Sequence, residues 1–322
     1  MAADTLSDVL KTVRMTGAAF FSVSARAPWV AEQLTRETVL PMILPGAQHM
    51  ISYHVVTEGA CYASLLAGES YEIKAGQVVV FTRGDPHVMS SAPGMRAKPL
   101  PRDALPPGTP LPFRATFGAD GPPSARLVCG FLACDAQPFN PLIENLPRVM
   151  IADTEASGAM PWLAELVRFA WSEVSAGRAG GETMLGKLTE LMFIEVVRQH
   201  IDRLPDGQEG WLAGLRDPLV GKALSLMHGD PARDWDVGTL ARSAGASRSE
   251  FAERFACFVG VPPMQYLAKW RMQLASGLLA NDANIASVAA EVGYGSESSF
   301  SRAFKKMVGV PPSVWRDRRV AA

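Results

Sequence analysis

The chain contains no apolar run near the ~20 residues that a membrane-spanning helix requires. Its four cysteines, Cys61, Cys129, Cys134 and Cys257, are too few for a disulfide-rich secreted fold and too scattered for a zinc ribbon. The N-terminus places Asp4 and Asp8 ahead of its first lysine, Lys11, and lacks a long apolar core, which argues against a secretory leader. These absences make the cytoplasm the expected compartment. A global excess of positive charge is missing too, since the formal net charge is −1.

That average conceals a division. From Trp211 onward there are 14 Lys+Arg against 10 Asp+Glu, a net of +4, whereas the preceding segment holds 17 against 22, a net of −5. A local basic excess is what a phosphate-facing module needs, and the C-terminal third is where to look for one. With 322 residues, 48% of them hydrophobic, the chain is long enough to fold as two or three domains with separate cores.

Hydrophobic period sorts the segments. Up to about residue 150, runs rich in β-branched and aromatic residues (Ile51–Val56, Cys61–Leu66, Val78–Phe81 and Arg126–Leu132) alternate with Gly or acidic turns and predict strands. The stretch from Ala92 to Pro123 is dense in Pro and Gly and is expected to be one long surface loop. From Pro161 the period becomes helical. Leu163, Leu166, Val167 and Ala170 form one stripe; Leu185, Leu188, Leu191, Met192 and Val196 form another, interrupted by Glu195. A turn at Ala179–Gly181 makes the pair a helical hairpin. The expected boundaries are 1–155, 156–210 and 211–322.

A duplication inside the last ninety residues is the most informative feature. Leu240–Gly245, Ser247–Phe255 and Gly260-Val-Pro-Pro263 recur as Val288–Gly293, Ser296–Phe304 and Gly309-Val-Pro-Pro312. In each copy a short helix ends at a glycine able to take a left-handed conformation, and a serine then caps a second helix. That second helix carries Phe at i and i+4, with a polar opposite face. This is the plan of a helix-turn-helix, whose second helix enters the major groove. Between the copies Met264–Leu279 predicts a spacer helix of ~16 residues, about 24 Å long, suited to setting two recognition helices about one DNA turn apart. A helical solenoid is the alternative for such repeats, but two copies fall short of the three or more that a stable array needs.

The segment Asp234–Arg318 resembles the DNA-binding domain of the AraC/XylS family of regulators. Trp270-Arg-Met272, Gly293-Tyr-Gly-Ser-Glu-Ser-Ser-Phe-Ser-Arg-Ala-Phe-Lys305 and Gly309-Val-Pro-Pro312 carry the likeness. The resemblance implies double-stranded DNA as partner. It points to Ser247, Arg248, Ser249, Glu250, Glu253 and Arg254 in the first unit, and to Ser296, Glu297, Ser298, Ser299, Ser301 and Arg302 in the second. Glu253 departs from the basic residue frequent at its position; it either accepts from a cytosine amine or pairs with Arg248. Lys305, Lys306, Arg316, Arg318 and Arg319 are expected at phosphates, which position without specifying sequence.

Upstream, Gly76-Gln-Val-Val-Val-Phe-Thr-Arg-Gly-Asp-Pro-His87, His54–Gly59, Val128-Cys-Gly130 and Asn140–Pro147 resemble the cupin-type sensor domain carried by some AraC-family regulators. The implied architecture is α+β and multidomain: a cupin-like β-barrel, a helical hairpin linker, and an all-α domain with two helix-turn-helix units. A small-molecule or stress signal would act on the barrel, with His54, His87 and Cys129 as ligand-binding residues. The hairpin would hold a homodimer, and RNA polymerase would be a partner if the chain activates. No cofactor is expected. Enzymatic cupins hold a metal with a His-x-His…Glu set and a later His. Only His87 fits, because His49 and His54 lie five apart with Ser52 between them. The alternative function is a metal-dependent dioxygenase or isomerase with an appended helical domain. Cys129 and Cys134 would serve redox sensing only as exposed thiols of low pKa; otherwise they, like Cys257, are structural.

Overall fold

The runs of Val, Ile, Phe and Cys between residues 50 and 132 form strands because both faces of the central ones are covered, so the period-2 alternation of a half-exposed sheet is lost. The computed structural model describes residues 4–13, 15–33, 35–43, 47–98, 113–134, 138–153 and 179–320, together with Glu165, Phe169, Ser172 and Ala176. Nine strands are present among them: β1 (Thr16–Arg26), β2 (Val30–Glu32), β3 (His49–Leu65), β4 (Ser70–Lys74), β5 (Gln77–Phe81), β6 (His87–Ser90), β7 (Phe113–Gly118), β8 (Ala125–Cys134) and β9 (Val149–Asp153). The helices are α1 (Thr5–Thr12), α2 (Arg36–Ile43), α3 (Pro141–Asn145), α4 (Gly181–Asp202), α5 (Trp211–Gly214), α6 (Pro218–Gly229), α7 (Val237–Ala244), α8 (Arg248–Val259), α9 (Pro263–Leu279), α10 (Ile285–Glu291), α11 (Glu297–Val308) and α12 (Pro312–Val320). No described helix is long and apolar enough to cross a membrane.

Packing divides the chain into two units. One comprises Met15–Cys134 and Pro147–Arg203; the other comprises Met1–Arg14, Asp135–Leu146 and Leu204–Ala322. The first is a cupin-like barrel organised by the long strand β3. Its first part pairs with β5 and β8, from Ser52↔Phe81 and His49↔Cys134, and its second part pairs with β4 and β6. Val56, Cys61, Ile73, Val79, Phe81, Leu127 and Cys129 share the core between these strands.

The proline-rich stretch 92–123 is not a single loop. It contains β7, which runs parallel to β1 from Phe21↔Phe113 to Arg26↔Gly118. Its residues alternate half-buried and exposed, as at a sheet edge; the surrounding Pro and Gly obscured that pattern. Residues 99–112 lie outside the described residues.

Helix α4 packs on β1 and β9, burying Leu185, Met192, Phe193, Val196 and Val197. Tyr53 and Thr189 join their hydroxyls at 2.9 Å. Leu191, expected on the buried stripe, is 49% exposed. It falls in register with Met184, seven residues earlier and 45% exposed, because seven residues make almost two full turns. Glu195 is buried in the barrel-facing stripe, where burial raises its carboxyl pKa. The other expected helix of the hairpin, around Leu163, Leu166, Val167 and Ala170, lies outside the described residues.

Candidate nucleic-acid interface

In the helical unit each turn of the duplicated segment is built by caps. Asp236 caps α7 by accepting the Thr239 N–H at 2.9 Å. Gly245 then turns the chain at φ +85°, and Ser247 caps α8 by accepting the Glu250 N–H at 3.3 Å. In the second copy Asn284 caps α10 and Ser296 caps α11, the latter accepting the Ser299 N–H at 3.2 Å. Gly293 turns at φ +80° against the backbone of Ala232, where a Cβ would collide. Phe251, Phe255, Phe300 and Phe304 are fully buried, with ring centroids 5.7 Å apart in the first pair and 5.5 Å in the second.

Burying those rings fixes which faces remain outside. On α8 and its cap Ser247, Arg248, Ser249, Glu250, Glu253 and Arg254 are exposed. On α11 and its cap Ser296, Glu297, Ser298, Arg302, Lys305 and Lys306 are exposed, while Ser299 and Ser301 are half-buried. Each face thus offers donors and acceptors at the spacing a groove-reading helix uses. Among the described residues no ion pair joins Glu253 to Arg248, which leaves the Glu253 carboxylate available as an acceptor. Arg316 lies 3.6 Å from Asp317 and 3.8 Å from Asp282. The side chains of Arg318 and Arg319 lie outside the described residues.

Arg254 is engaged elsewhere. Its Nε and Nη2 donate to Asp217 Oδ2 at 3.0 and 2.5 Å. Asp217 is also the cap of α6, accepting from the Leu219 and Val220 N–H groups through Oδ1. Burial pushes its carboxyl pKa up, but the bonds from Arg254 and the two amides outweigh that and hold it below the ordinary value. Sequence reasoning missed Asp217. The signal was there, since Asp217-Pro218 is a cap followed by an N1 proline, but only the fold brings it beneath α8. Glu209 was missed likewise; its carboxylate accepts from the exposed Cys257 thiol at 2.9 Å.

The spacer α9 covers 17 residues, about 25 Å. Trp270 is buried under His228, with rings stacked 4.0 Å apart. Trp211 Nε1–H donates to the Tyr266 hydroxyl at 3.0 Å. That hydroxyl also shares a hydrogen bond with His228 Nε2, 2.8 Å away. The second copy packs on the far half of α9, where Met272, Ala275 and Leu279 meet Val288, Phe300, Phe304 and Trp315.

In the barrel unit the structure brings His54 and His87 together, Nε2 to Nε2 at 2.7 Å, and pairs His54 with Cys129 across β3 and β8. Phe81 stacks on the His87 ring at 3.8 Å. The tautomers follow from the partners. His87 Nδ1 lies 3.0 Å from the Asp85 carbonyl, which can only accept, so His87 Nε2 accepts in turn and His54 Nε2–H donates. His54 Nδ1 is then a buried lone pair without a hydrogen-bond partner. Burial holds the His87 pKa down to about 4 and His54 well below its ordinary value, the latter with help from His87. Burial also pushes the Cys61 thiol up to about 12 and Cys129 well above its usual range, so neither is a reactive thiolate. Among the described residues no group of three or more His, Cys, Asp or Glu side chains is arranged to hold a metal ion.

The chain thus comprises a cupin-like barrel unit and a helical unit with two capped helix-turn-helix copies. Comparison with known proteins agrees. Residues 4–202 match the family model described as a cupin, and residues 240–318 match one described as a helix-turn-helix domain. An AraC-like transcription regulator of Streptomyces lividans is 40% identical over 179 residues, 54% of this chain and 58% of that protein. The chain thus spans little more than half the length of that relative. The regulator AlkR of Acinetobacter baylyi is 26% identical over 98% of this chain and 99% of its own. Among solved structures, ToxT of Vibrio cholerae covers 97% of this chain and all of its own at 11% identity and a TM-score of 0.37. The chain belongs to the cupin family whose model spans residues 4–202, and it carries a helix-turn-helix domain at 240–318. The relatives' names are those of transcription regulators, which does not favour the dioxygenase or isomerase alternative.

Proposed function

We propose that the chain is a sequence-specific, double-stranded-DNA-binding transcription regulator. The observation that carries this reading is the pair of serine-capped helices, α8 and α11, each anchored by two buried phenylalanines and each presenting a polar face. Lys305 and Lys306 supply charge for phosphates, and Arg302 a fork for guanine. Such a protein works on the chromosome, which places it in the cytoplasm. DNase footprinting upstream of its own gene tests the reading: protection of two patches about one helical turn apart supports it, and uniform cleavage refutes it.

Two further parts belong to this reading. The barrel receives a small-molecule effector, for which the partnerless His54 Nδ1 offers a handle to a ligand carrying an N–H or O–H group. Two copies pair through α4, where Met184, Leu188 and Leu191 repeat at the four-three spacing of a helix–helix seam. Contact with RNA polymerase follows if the bound site lies beside a promoter that the protein activates.

A further inference from the structure

The two recognition helices align residue for residue, with Phe251 and Phe255 matching Phe300 and Phe304. The alignment sets Glu253 against Arg302 and Arg254 against Ala303. The first helix therefore carries an arginine where the second has none, and that arginine has a dedicated partner. The Asp217 side chain is 4% exposed and accepts four hydrogen bonds, two from Arg254 and two from the first turn of α6. Arg254 also lies over the Phe258 ring at 5.7 Å. Turning Arg254 toward a phosphate or a guanine would leave a buried carboxylate without its cation, a change that buried pairs resist strongly. The Nε–Nη2 edge of the guanidinium, an edge that a bidentate contact to guanine or phosphate would use, is occupied by Asp217 Oδ2.

We propose that Asp217 withholds Arg254 from DNA, so that the first recognition helix reads its groove through its other exposed residues, Arg248, Ser249, Glu250 and Glu253. Asp217 is then a specificity-determining residue that touches no DNA. With the arginine held back, the acceptor-rich face of α8 suits the cytosine amine. The α11 face, with Arg302, Lys305 and Lys306, takes guanine and phosphate. The two halves of the binding site would be read by different balances of acceptors and donors. This inference rests on the DNA-binding reading above.

The test uses the full chain, fluorescence anisotropy, and two duplexes: one from upstream of its own gene and one of scrambled sequence. Asp217→Asn keeps the α6 cap, because Asn caps as well as Asp, and removes the charge that holds Arg254. The variant should gain a phosphate contact, steepening the slope of log Kobs against log salt by about one on both duplexes, and should discriminate less between them. The double variant Asp217→Asn/Arg254→Ala should return to the wild-type slope. A slope unchanged in Asp217→Asn, or one shallower than wild type by about one in the double variant, overturns the proposal, since Arg254 would then already contact DNA. Wild-type chain that binds neither duplex overturns the DNA-binding reading itself, and this inference with it; thermal unfolding of each variant separates lost contacts from lost folding.

Discussion

Phe255 and Phe304 stand forty-nine positions apart in sequence and occupy the same place in their two units, each fully buried at the heart of its helix-turn-helix. Phe255 meets Tyr266 at the start of the spacer helix, with ring centroids 5.9 Å apart. Phe304 meets Trp315 in the last helix at 6.1 Å. Replacing either by Ala deletes a ring from a closed core, and is expected to cost about 3–5 kcal/mol. Urea unfolding measures the loss, and each variant should lose DNA binding in step with stability.

The polar faces make separable contributions. Arg302→Ala is expected to weaken binding by about 1–3 kcal/mol at the preferred site and to relax preference at one base pair. Lys305→Ala should weaken specific and scrambled duplexes alike and make the salt slope shallower by about one. Anisotropy titrations at several salt concentrations distinguish the two outcomes.

How much of this was legible in the sequence varies with the kind of signal. The duplicated segment was fully legible because caps, glycine turns and phenylalanine pairs are local features. The cupin-like strands were legible in outline through their β-branched runs. β7 was hidden, since Phe113–Gly118 sits among prolines and glycines and its partner β1 lies ninety residues away. The capture of Arg254 by Asp217 was also hidden, because a contact over 37 positions leaves no periodic trace. Leu191 misled for a different reason: helical period places a residue on a face but cannot say which of two apolar faces meets the barrel.

Acid should destabilise both units before carboxylates titrate. His87 in the barrel is held to about 4 and His228 in the helical unit to about 3, both by burial, against an unfolded value near 6.5. Below pH 6.5 the unfolded chain binds protons that the folded chain refuses. Stability is therefore complete above that pH and falls as pH drops toward 4, by about 3 kcal/mol for His87 alone. Chemical denaturation at pH 7.5, 6 and 5 checks this, and His228→Gln should flatten the dependence in the helical unit.

Thiol accessibility is set by the fold. Cys61, Cys129 and Cys134 are buried and Cys257 is exposed. A thiol reagent should modify Cys257 in the native protein, slowly because its neighbour Glu209 raises the thiol pKa, and all four cysteines after denaturation. Rapid native modification of Cys129 would contradict the burial described.

The exposed stripe on α4 gives a simple test of assembly. Leu191→Lys is expected to convert a dimer to monomers in light scattering without lowering the unfolding midpoint, because Leu191 faces away from the barrel. A wild-type chain that is already monomeric at micromolar concentration would remove the case for that seam.

The salt dependence of DNA binding by the wild-type chain tests the central claim most directly. On a duplex from upstream of its own gene, log Kobs should fall steeply and linearly with log salt, and affinity should exceed that for a scrambled duplex by at least about a thousandfold. Equal affinity for the two duplexes, or no binding to either, would contradict it.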